Sequence, residues 1–195
     1  IPSSVQNIGK NAFKYTTSLK LISIPREISI SNLGLNDETK IINEKDESTS
    51  LYEYGSEFDY GRSVTVDKIK ASKYYKMSAD EGNMNAMFRY AYMSKIGEGI
   101  PVNYSEALKY YKMAIDKGSS ASMNNYANML FNGNGIKINK SEAIKYYKMS
   151  IDKGDEVAMY NYANMLFDGD GIEMNKEAAS HYYKMAADKG YPDGI

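Results

Sequence analysis

The residue types that most often carry catalysis are scarce in this sequence. It contains one histidine, His181, and no cysteine, which leaves no thiolate nucleophile and no ligands for a zinc ribbon. His181 occupies a position that Lys73, Lys109 and Lys145 fill in earlier copies of the same pentapeptide, so we expect it on the solvent side of a helix. No hydrolytic triad can be assembled around another base, and no pair of carboxylates stands out. The prediction is therefore that the protein is not an enzyme and has no catalytic residues.

Two loop motifs contain residues that bind ions in other proteins. Gly-x-Gly turns begin at Gly97, Gly133 and Gly169. A phosphate-binding loop needs a preceding strand and a third glycine. Here helical patterns flank the turns and the third glycine is absent. The run 168–171, Asp-Gly-Asp-Gly, lacks the further oxygen ligands of a calcium loop, and Ala179 occupies the position of its essential glutamate. We interpret both motifs as structural turns and predict neither a cofactor nor a metal ion.

Charge and hydropathy narrow the classes of partner. The 195 residues include 24 Lys and Arg against 25 Asp and Glu, a net charge of -1. Nucleic-acid binding depends on clustered, uncompensated cations, and no apolar run is long enough to span a membrane. We expect other proteins or peptides as partners, with no nucleic acid and no membrane insertion within this chain.

The absence of cysteine fits a reducing compartment, which predicts a cytoplasmic location. The chain begins with Ile1 instead of Met, so we expect an upstream segment to be missing. A surface or secreted location therefore stays open.

A period of 36 residues determines where the remaining side chains lie. The pentapeptide Lys-Tyr-Tyr-Lys-Met begins at Lys73, Lys109 and Lys145, and it returns with histidine in first place at His181. Within each period, apolar residues recur at spacings of three and four, which is the pattern of one face of a helix. Two such helices fit in each period. A single pair cannot bury its apolar face, whereas stacked pairs can.

Polar residues and glycines predict where these helices begin and end. Asn103 precedes the second helix of one unit and Asn139 that of the next, each followed three residues later by a glutamate. This spacing is typical of a capping box. Gly118 ends the second helix and Gly133 ends the next first helix, because glycine accepts the left-handed conformation that commonly follows a helix.

These residues together resemble the Sel-1-like repeat, a branch of the tetratricopeptide-like helical repeats. The resemblance covers residues 49–190, about four units, with tyrosine in place of the usual tryptophan in the Tyr-Tyr pair. It implies a chain that is all-α over most of its length, folded as a right-handed α-solenoid of helix–turn–helix repeats. It also implies a non-catalytic scaffold or adaptor that binds partners in a concave groove lined by the first helices. The positions that carry it are Ala107, Tyr110, Tyr111, Ala114, Gly118, Tyr126, Ala127, Met129, Gly133, Asn134, Gly135 and Ile136.

Carried over position by position, the resemblance places eight candidate partner-binding side chains in that groove. Asparagine amides can both donate to and accept from a peptide backbone, and cations can pair with a carboxylate. The alternative is that these are ordinary solvated residues on helix surfaces. The eight residues are Arg89, Tyr92, Lys95, Asn124, Asn128, Tyr160, Asn161 and Asn164.

The N-terminal segment follows a different pattern. Ile24-Pro25 falls 23 residues after Ile1-Pro2, and residues 1–34 resemble a partial BspA-like leucine-rich repeat, a short β-containing remnant. The alternative is an irregular tail. Residues 35–48 are polar and predict a linker, and residues 49–195 contain about four Sel-1-like repeats plus the start of another.

Two other functions stay open at this point. BspA-like repeats imply a cell-surface or secreted protein that adheres to host proteins. The resemblance to cysteine-rich Sel-1-like proteins, some of which are assigned activity on lactams, implies a hydrolase. Those proteins are built on disulfides, however, and this chain has no cysteine.

Overall fold

The helices follow the predicted period of two per repeat. The structure, a computed structural model, describes residues 21–24, 40–43, 47–62 and 64–192. Within these ranges the helices are α1 (Glu47–Tyr60), α2 (Lys68–Asp80), α3 (Met84–Ile96), α4 (Tyr104–Asp116), α5 (Ser120–Asn132), α6 (Lys140–Asp152), α7 (Glu156–Asp168) and α8 (Lys176–Asp188). The prediction of an all-α chain over most of its length is confirmed.

Two short strands precede the helices. Strands β1 (Leu21–Ile24) and β2 (Lys40–Asn43) pair in parallel, with Leu21 opposite Lys40. Strand β1 lies in the predicted leucine-rich segment, whose other residues lie outside the described part of the chain, so that interpretation stays a prediction. Strand β2 and the start of α1 fall within residues 35–48, and the interpretation of that segment as a linker stays a prediction. A strand depends on backbone pairing with a neighbour, which a polar composition does not prevent.

The second helix of each repeat begins at the predicted cap. The side chains of Asp67, Asn103, Asn139 and Asn175 each accept a hydrogen bond from the backbone N–H three residues later. This bond satisfies one of the donors that the first turn of a helix leaves unpaired. The caps therefore fix where α2, α4, α6 and α8 start.

The Gly-x-Gly motifs are structural turns, as predicted. Gly133 ends α5 with φ 77° and donates its N–H to the carbonyl of Met129, and Gly169 ends α7 with φ 70° in the same way. This left-handed conformation costs a residue with a side chain free energy, whereas glycine adopts it readily.

The described residues fall into two compact units, Ile1–Asn83 and Met84–Ile195. In the first unit, α1 and α2 pack as a hairpin around the buried ring of Tyr75, which lies against Gly55. The carboxylate of Asp59 is buried, and it accepts hydrogen bonds from Tyr75 Oη at 2.9 Å and from Lys68 Nζ at 2.6 Å. A buried carboxylate is stabilised by such donors.

The second unit contains three hairpins, α3–α4, α5–α6 and α7–α8, in which each hairpin packs against the next through α4–α5 and α6–α7. Small residues on the first helices, Ala91, Ala127 and Ala163, are fully buried. Tyrosines fill the remaining space in edge-to-face pairs, a favourable geometry for aromatic rings. The pairs are Tyr90–Tyr110, Tyr126–Tyr146 and Tyr162–Tyr182, with ring centroids 4.8, 4.8 and 5.0 Å apart.

The turn after α5 rests on the preceding hairpin. Gly135 has φ 70°, and a Cβ added there would overlap the Cβ of Tyr104 at the start of α4. Gly171 has the same relation to Lys140 at the start of α6. The second glycine of each turn therefore permits both the backbone conformation and the close approach of neighbouring repeats.

We expect Gly135→Ala to lower the free energy of unfolding by about 2–4 kcal/mol, because backbone strain and overlap with Tyr104 add together. Gly190→Ala is the matched control: its φ is 94° but nothing lies within 4 Å of the added carbon. Strain alone should cost that variant about 1–2 kcal/mol. Urea unfolding followed by circular dichroism measures both, and equal losses would contradict the proposed contact between repeats.

Candidate functional site

The side chains predicted to line a groove lie on α3, α5 and α7, the first helices of the three hairpins in the second unit. Because the period is 36 residues, each position on α3 has a counterpart on α5 and on α7. We call the shared surface the first-helix face. Its equivalent positions are Arg89, Asn125 and Asn161; Tyr92, Asn128 and Asn164; and Lys95, Phe131 and Phe167.

The two asparagines expected to bind a peptide backbone are already engaged on one side. Tyr147 Oη donates to Asn128 Oδ1 at 2.6 Å, and Tyr183 Oη donates to Asn164 Oδ1 at 2.6 Å. Burial raises the pKa of Tyr147, which keeps its hydroxyl protonated as a donor. The amide oxygens therefore hold the second helix of the hairpin in place. The Nδ2 groups have no hydrogen-bond partner among the residues that the structure describes.

Further hydrogen bonds join neighbouring first helices. Lys95 Nζ on α3 donates to Asn125 Oδ1 on α5 at 2.8 Å, and Asn161 Nδ2 on α7 donates to Asn124 Oδ1 on α5 at 2.9 Å. Asn124 is only 4% exposed, and its oxygen accepts the bond from Asn161 inside the array, so it offers little surface to a partner. These bonds fix the positions of α3, α5 and α7 relative to one another.

A cluster of cations and aromatic rings occupies the α3 part of the face. The ring of Tyr92 has the Arg89 guanidinium carbon 5.9 Å and Lys95 Nζ 5.2 Å from its centroid, both within cation–π range. The Phe88 ring stacks beside it at 6.4 Å. Burial lowers the pKa of Lys95, because removal from water disfavours the charged ammonium.

Tyr92 also changes the hydrogen bonding beneath it. Tyr111 is the counterpart of Tyr147 and Tyr183, but the residue opposite it is Tyr92 where the later repeats have asparagine. Its hydroxyl is fully buried and has no hydrogen-bond partner within the described residues. Burial raises the pKa of Tyr111, as does the Tyr92 hydroxyl, while the Arg89 charge acts in the opposite direction.

A depression of about 270 Å³ lies between α5 and α7. Lys140 borders it: this side chain forms an ion pair with Asp170, and its Nζ lies 5.1 Å from the centroid of the Phe131 ring. The depression contains three of the predicted groove residues beside aromatic, apolar and acidic ones. Its lining consists of Asn128, Phe131, Asn132, Tyr147, Asn161, Asn164, Met165, Asp168 and Asp170.

The sequence did not identify every residue of this depression. The sequence pattern predicts a structural turn at Asp168 and Asp170, and it assigns no binding role to Tyr147. The 36-residue period could have indicated the two aspartates. The turn that contains them begins where α7 ends, directly after residues of the first-helix face. Tyr160 lies elsewhere, with its ring 5.5 Å from that of Tyr183 and 4.8 Å from that of Tyr191.

The structure also places the residues considered for chemistry. His181 is exposed on α8, as predicted, with its ring 5.7 Å from that of Tyr182. Within the described part of the chain, no group of three or more His, Cys, Asp and Glu residues is arranged to hold a metal ion. None of the described helices is long and apolar enough to cross a membrane.

The arrangement of hairpins matches a known family along most of the chain. The Sel1 repeat matches four consecutive segments, residues 48–83, 85–119, 120–155 and 157–191. The chain belongs to the Sel1 repeat family. Sel1 repeats generally mediate protein–protein interactions, and their fold is typically a non-catalytic scaffold.

Solved structures of Sel1 repeat proteins share the fold. A Sel1 repeat protein from Oxalobacter formigenes is 26% identical, with a TM-score of 0.72 over 74% of this chain. The c5321 protein of uropathogenic Escherichia coli, a protective antigen with an SLR fold, is 28% identical, with a TM-score of 0.69 over 75% of this chain. This chain spans 57% and 32% of those two proteins, respectively.

A third solved structure has the same fold at lower identity. Helicobacter pylori cysteine rich protein B is 21% identical, with a TM-score of 0.52, and the similarity covers 69% of this chain and 96% of that one. This likeness concerns the fold alone. No curated protein matches the chain in sequence.

We expect Tyr147→Phe to lower the free energy of unfolding by about 1–2 kcal/mol, because it removes the bond to Asn128 and leaves that amide oxygen unpaired. Tyr111→Phe is the matched control, since it removes a buried hydroxyl that has no partner. We expect it to be neutral or stabilising. Urea unfolding of both variants provides the measurement, and equal destabilisation would show that the two hydroxyls have the same environment.

Proposed function

We propose that this Sel1 repeat protein is a non-catalytic scaffold that binds an extended segment of a partner protein on the first-helix face. The observation that carries the proposal is the pair of half-used amides on α5 and α7. Asn128 and Asn164 are fixed through their oxygens by tyrosine hydroxyls, which leaves the Nδ2 donors for a partner. Amide donors bind the carbonyl groups that every peptide backbone carries.

Fixed donors favour binding, because little side-chain freedom is lost when the partner arrives. Asn128 and Asn164 occupy equivalent positions one repeat apart, so successive donors meet successive parts of an extended chain. The depression between them contains Phe131, whose half-buried ring supplies apolar surface for a partner side chain. This combination of repeated amide donors and a partly apolar depression is suited to a peptide.

The two other functions considered for the sequence gain no support from these residues. The surface-adhesion alternative depends on residues 1–34, most of which lie outside the described part of the chain, and it stays a prediction. The hydrolase alternative depends on a disulfide-built scaffold, and the chain has no cysteine. The cytoplasmic location remains a proposal that rests on the same composition.

The proposal is tested with Asn128→Asp/Asn164→Asp in the full chain. Aspartate keeps an oxygen for the tyrosine hydroxyls but removes the Nδ2 donors and adds negative charge to the face. Proteins captured from a lysate by the immobilised wild type are identified, and their binding is then measured with purified components. We expect the double variant to bind the segment that they recognise at least about tenfold more weakly.

The matched control is Asn139→Asp/Asn175→Asp. It makes the same two chemical changes at helix caps, where Asp67 and Asp155 already perform the capping role in this chain. We expect this control to bind like the wild type. Equal binding by the Asn128/Asn164 variant and the control, both with native circular dichroism, would place the binding surface elsewhere.

A further inference from the structure

Helix α3 departs from α5 and α7 at three positions of the first-helix face. Arg89, Tyr92 and Lys95 stand where both later helices have asparagine, asparagine and phenylalanine. Residues spaced three apart lie along one side of a helix, so the three departures are neighbours. Together they form one cluster, in which Arg89 and Lys95 lie 5.9 and 5.2 Å from the centroid of the Tyr92 ring.

Lys95 lacks an opposite charge. Its ammonium donates to Asn125 Oδ1, a neutral acceptor, and no carboxylate in the described part of the chain pairs with it. Lys140, in contrast, pairs with Asp170. A cation withdrawn from water without a counter-charge is destabilised, and a carboxylate brought beside it would relieve that penalty.

Tyr92 also lies at a position where asparagine would fit the fold better. In the next two repeats an asparagine accepts the bond from the buried tyrosine, whereas beneath Tyr92 the Tyr111 hydroxyl has no partner among the described residues. Natural sequences depart from the locally stable choice chiefly where function requires another residue. The cluster therefore combines two local costs in stability, an unpaired hydroxyl and an uncompensated ammonium, at one surface site.

We infer that Arg89, Tyr92 and Lys95 bind a carboxylate of the partner, so that the segment recognised on the first-helix face is acidic. This inference rests on the proposed function and names the chemistry of its ligand. The carboxylate belongs either to an Asp or Glu side chain or to a C-terminus. Arg89 and Lys95 both lie within cation–π range of the same ring, and charge-assisted bonds from such groups to a carboxylate are among the stronger hydrogen bonds in proteins.

The opposite part of the face fixes the direction of the bound segment. Asp168, at the end of α7, is exposed and lies beside Asp170 in the depression between α5 and α7. A carboxylate placed there would meet the charge of Asp168, because Lys140 already pairs with Asp170. One placed at α3 meets Lys95, which has no counter-charge among the described residues. The acidic end of the segment therefore lies over α3, and its neutral or basic part lies over α5 and α7.

The test uses a random dodecapeptide library displayed to the full-length protein. Three proteins are compared: the wild type, Arg89→Gln/Lys95→Gln, and the control Lys112→Gln/Lys148→Gln. The control lysines also lie over tyrosine rings, at 5.4 Å in each case, but they are exposed on the second helices. Glutamine at position 95 can still donate to Asn125, so the first variant removes charge while keeping the bond between helices.

We expect peptides selected by the wild type and by the control to be enriched in Asp and Glu relative to the library. The peptides are then resynthesised with Glu→Gln or with an amidated C-terminus. The change that lowers the affinity at least about tenfold identifies the carboxylate that binds. The Arg89/Lys95 variant should bind the original peptides at least about tenfold more weakly. Selection of no peptides, or of basic or apolar ones, overturns the inference.

The same experiment separates this inference from the proposed function. The selected peptides could be basic or apolar and still bind more weakly to Asn128→Asp/Asn164→Asp. That result would support the scaffold function and overturn only the acidic ligand. Peptides that bind all variants equally would overturn both.

Discussion

The tyrosine pairs on α6 and α8 are the interaction on which the hairpins α5–α6 and α7–α8 depend. In the hairpin α5–α6, the Tyr146 ring packs edge-to-face on Tyr126 in the core, and the adjacent Tyr147 hydroxyl bonds to Asn128 on the face. Tyr182 and Tyr183 repeat both contacts in the next hairpin. Two neighbouring residues thus join the second helix to the interior and to the outer side of the first helix. The orientation of the face follows from that double attachment.

The partner of the second tyrosine varies, while the packing of the hairpin does not. Tyr75 bonds to Asp59 within the first unit, Tyr147 and Tyr183 bond to asparagines, and the Tyr111 ring contacts Phe88 at 6.2 Å. Each hairpin therefore tolerates a different residue opposite this hydroxyl, because alanine and tyrosine packing maintains the core independently. That separation allows a repeat protein to alter its binding surface one position at a time.

Much of the fold could be predicted because its determinants are local. The 36-residue period, the caps at Asn103 and Asn139, and the glycines at 133 and 169 each act within a few residues, and the structure places them as expected. The sequence pattern does not predict strand β2, because its formation depends on pairing with β1, in which Leu21 lies opposite Lys40. Sequence periodicity indicates the face on which a residue lies, but it does not indicate which acceptor lies within reach of a donor.

The candidate site was therefore only partly predictable. The period assigns the candidate side chains to α3, α5 and α7, but the engagement of Asn128 by Tyr147 and the burial of Asn124 depend on the spacing between helices. The unpaired hydroxyl of Tyr111 follows from comparing equivalent positions in three dimensions. Such a feature has no signature in a single repeat, because it appears only when Tyr92 is compared with Asn128 and Asn164.

The bonds that Asn128, Asn161 and Asn164 form on this face join neutral groups: tyrosine hydroxyls to amides, and the amide of Asn161 to that of Asn124. Dissolved ions screen interactions between charges far more than hydrogen bonds between neutral groups. These contacts therefore keep their geometry as ionic strength changes. Any dependence of binding on salt consequently reports the charged groups of the ligand and of the face, including Lys95 and Asp168, rather than a loss of these amide contacts.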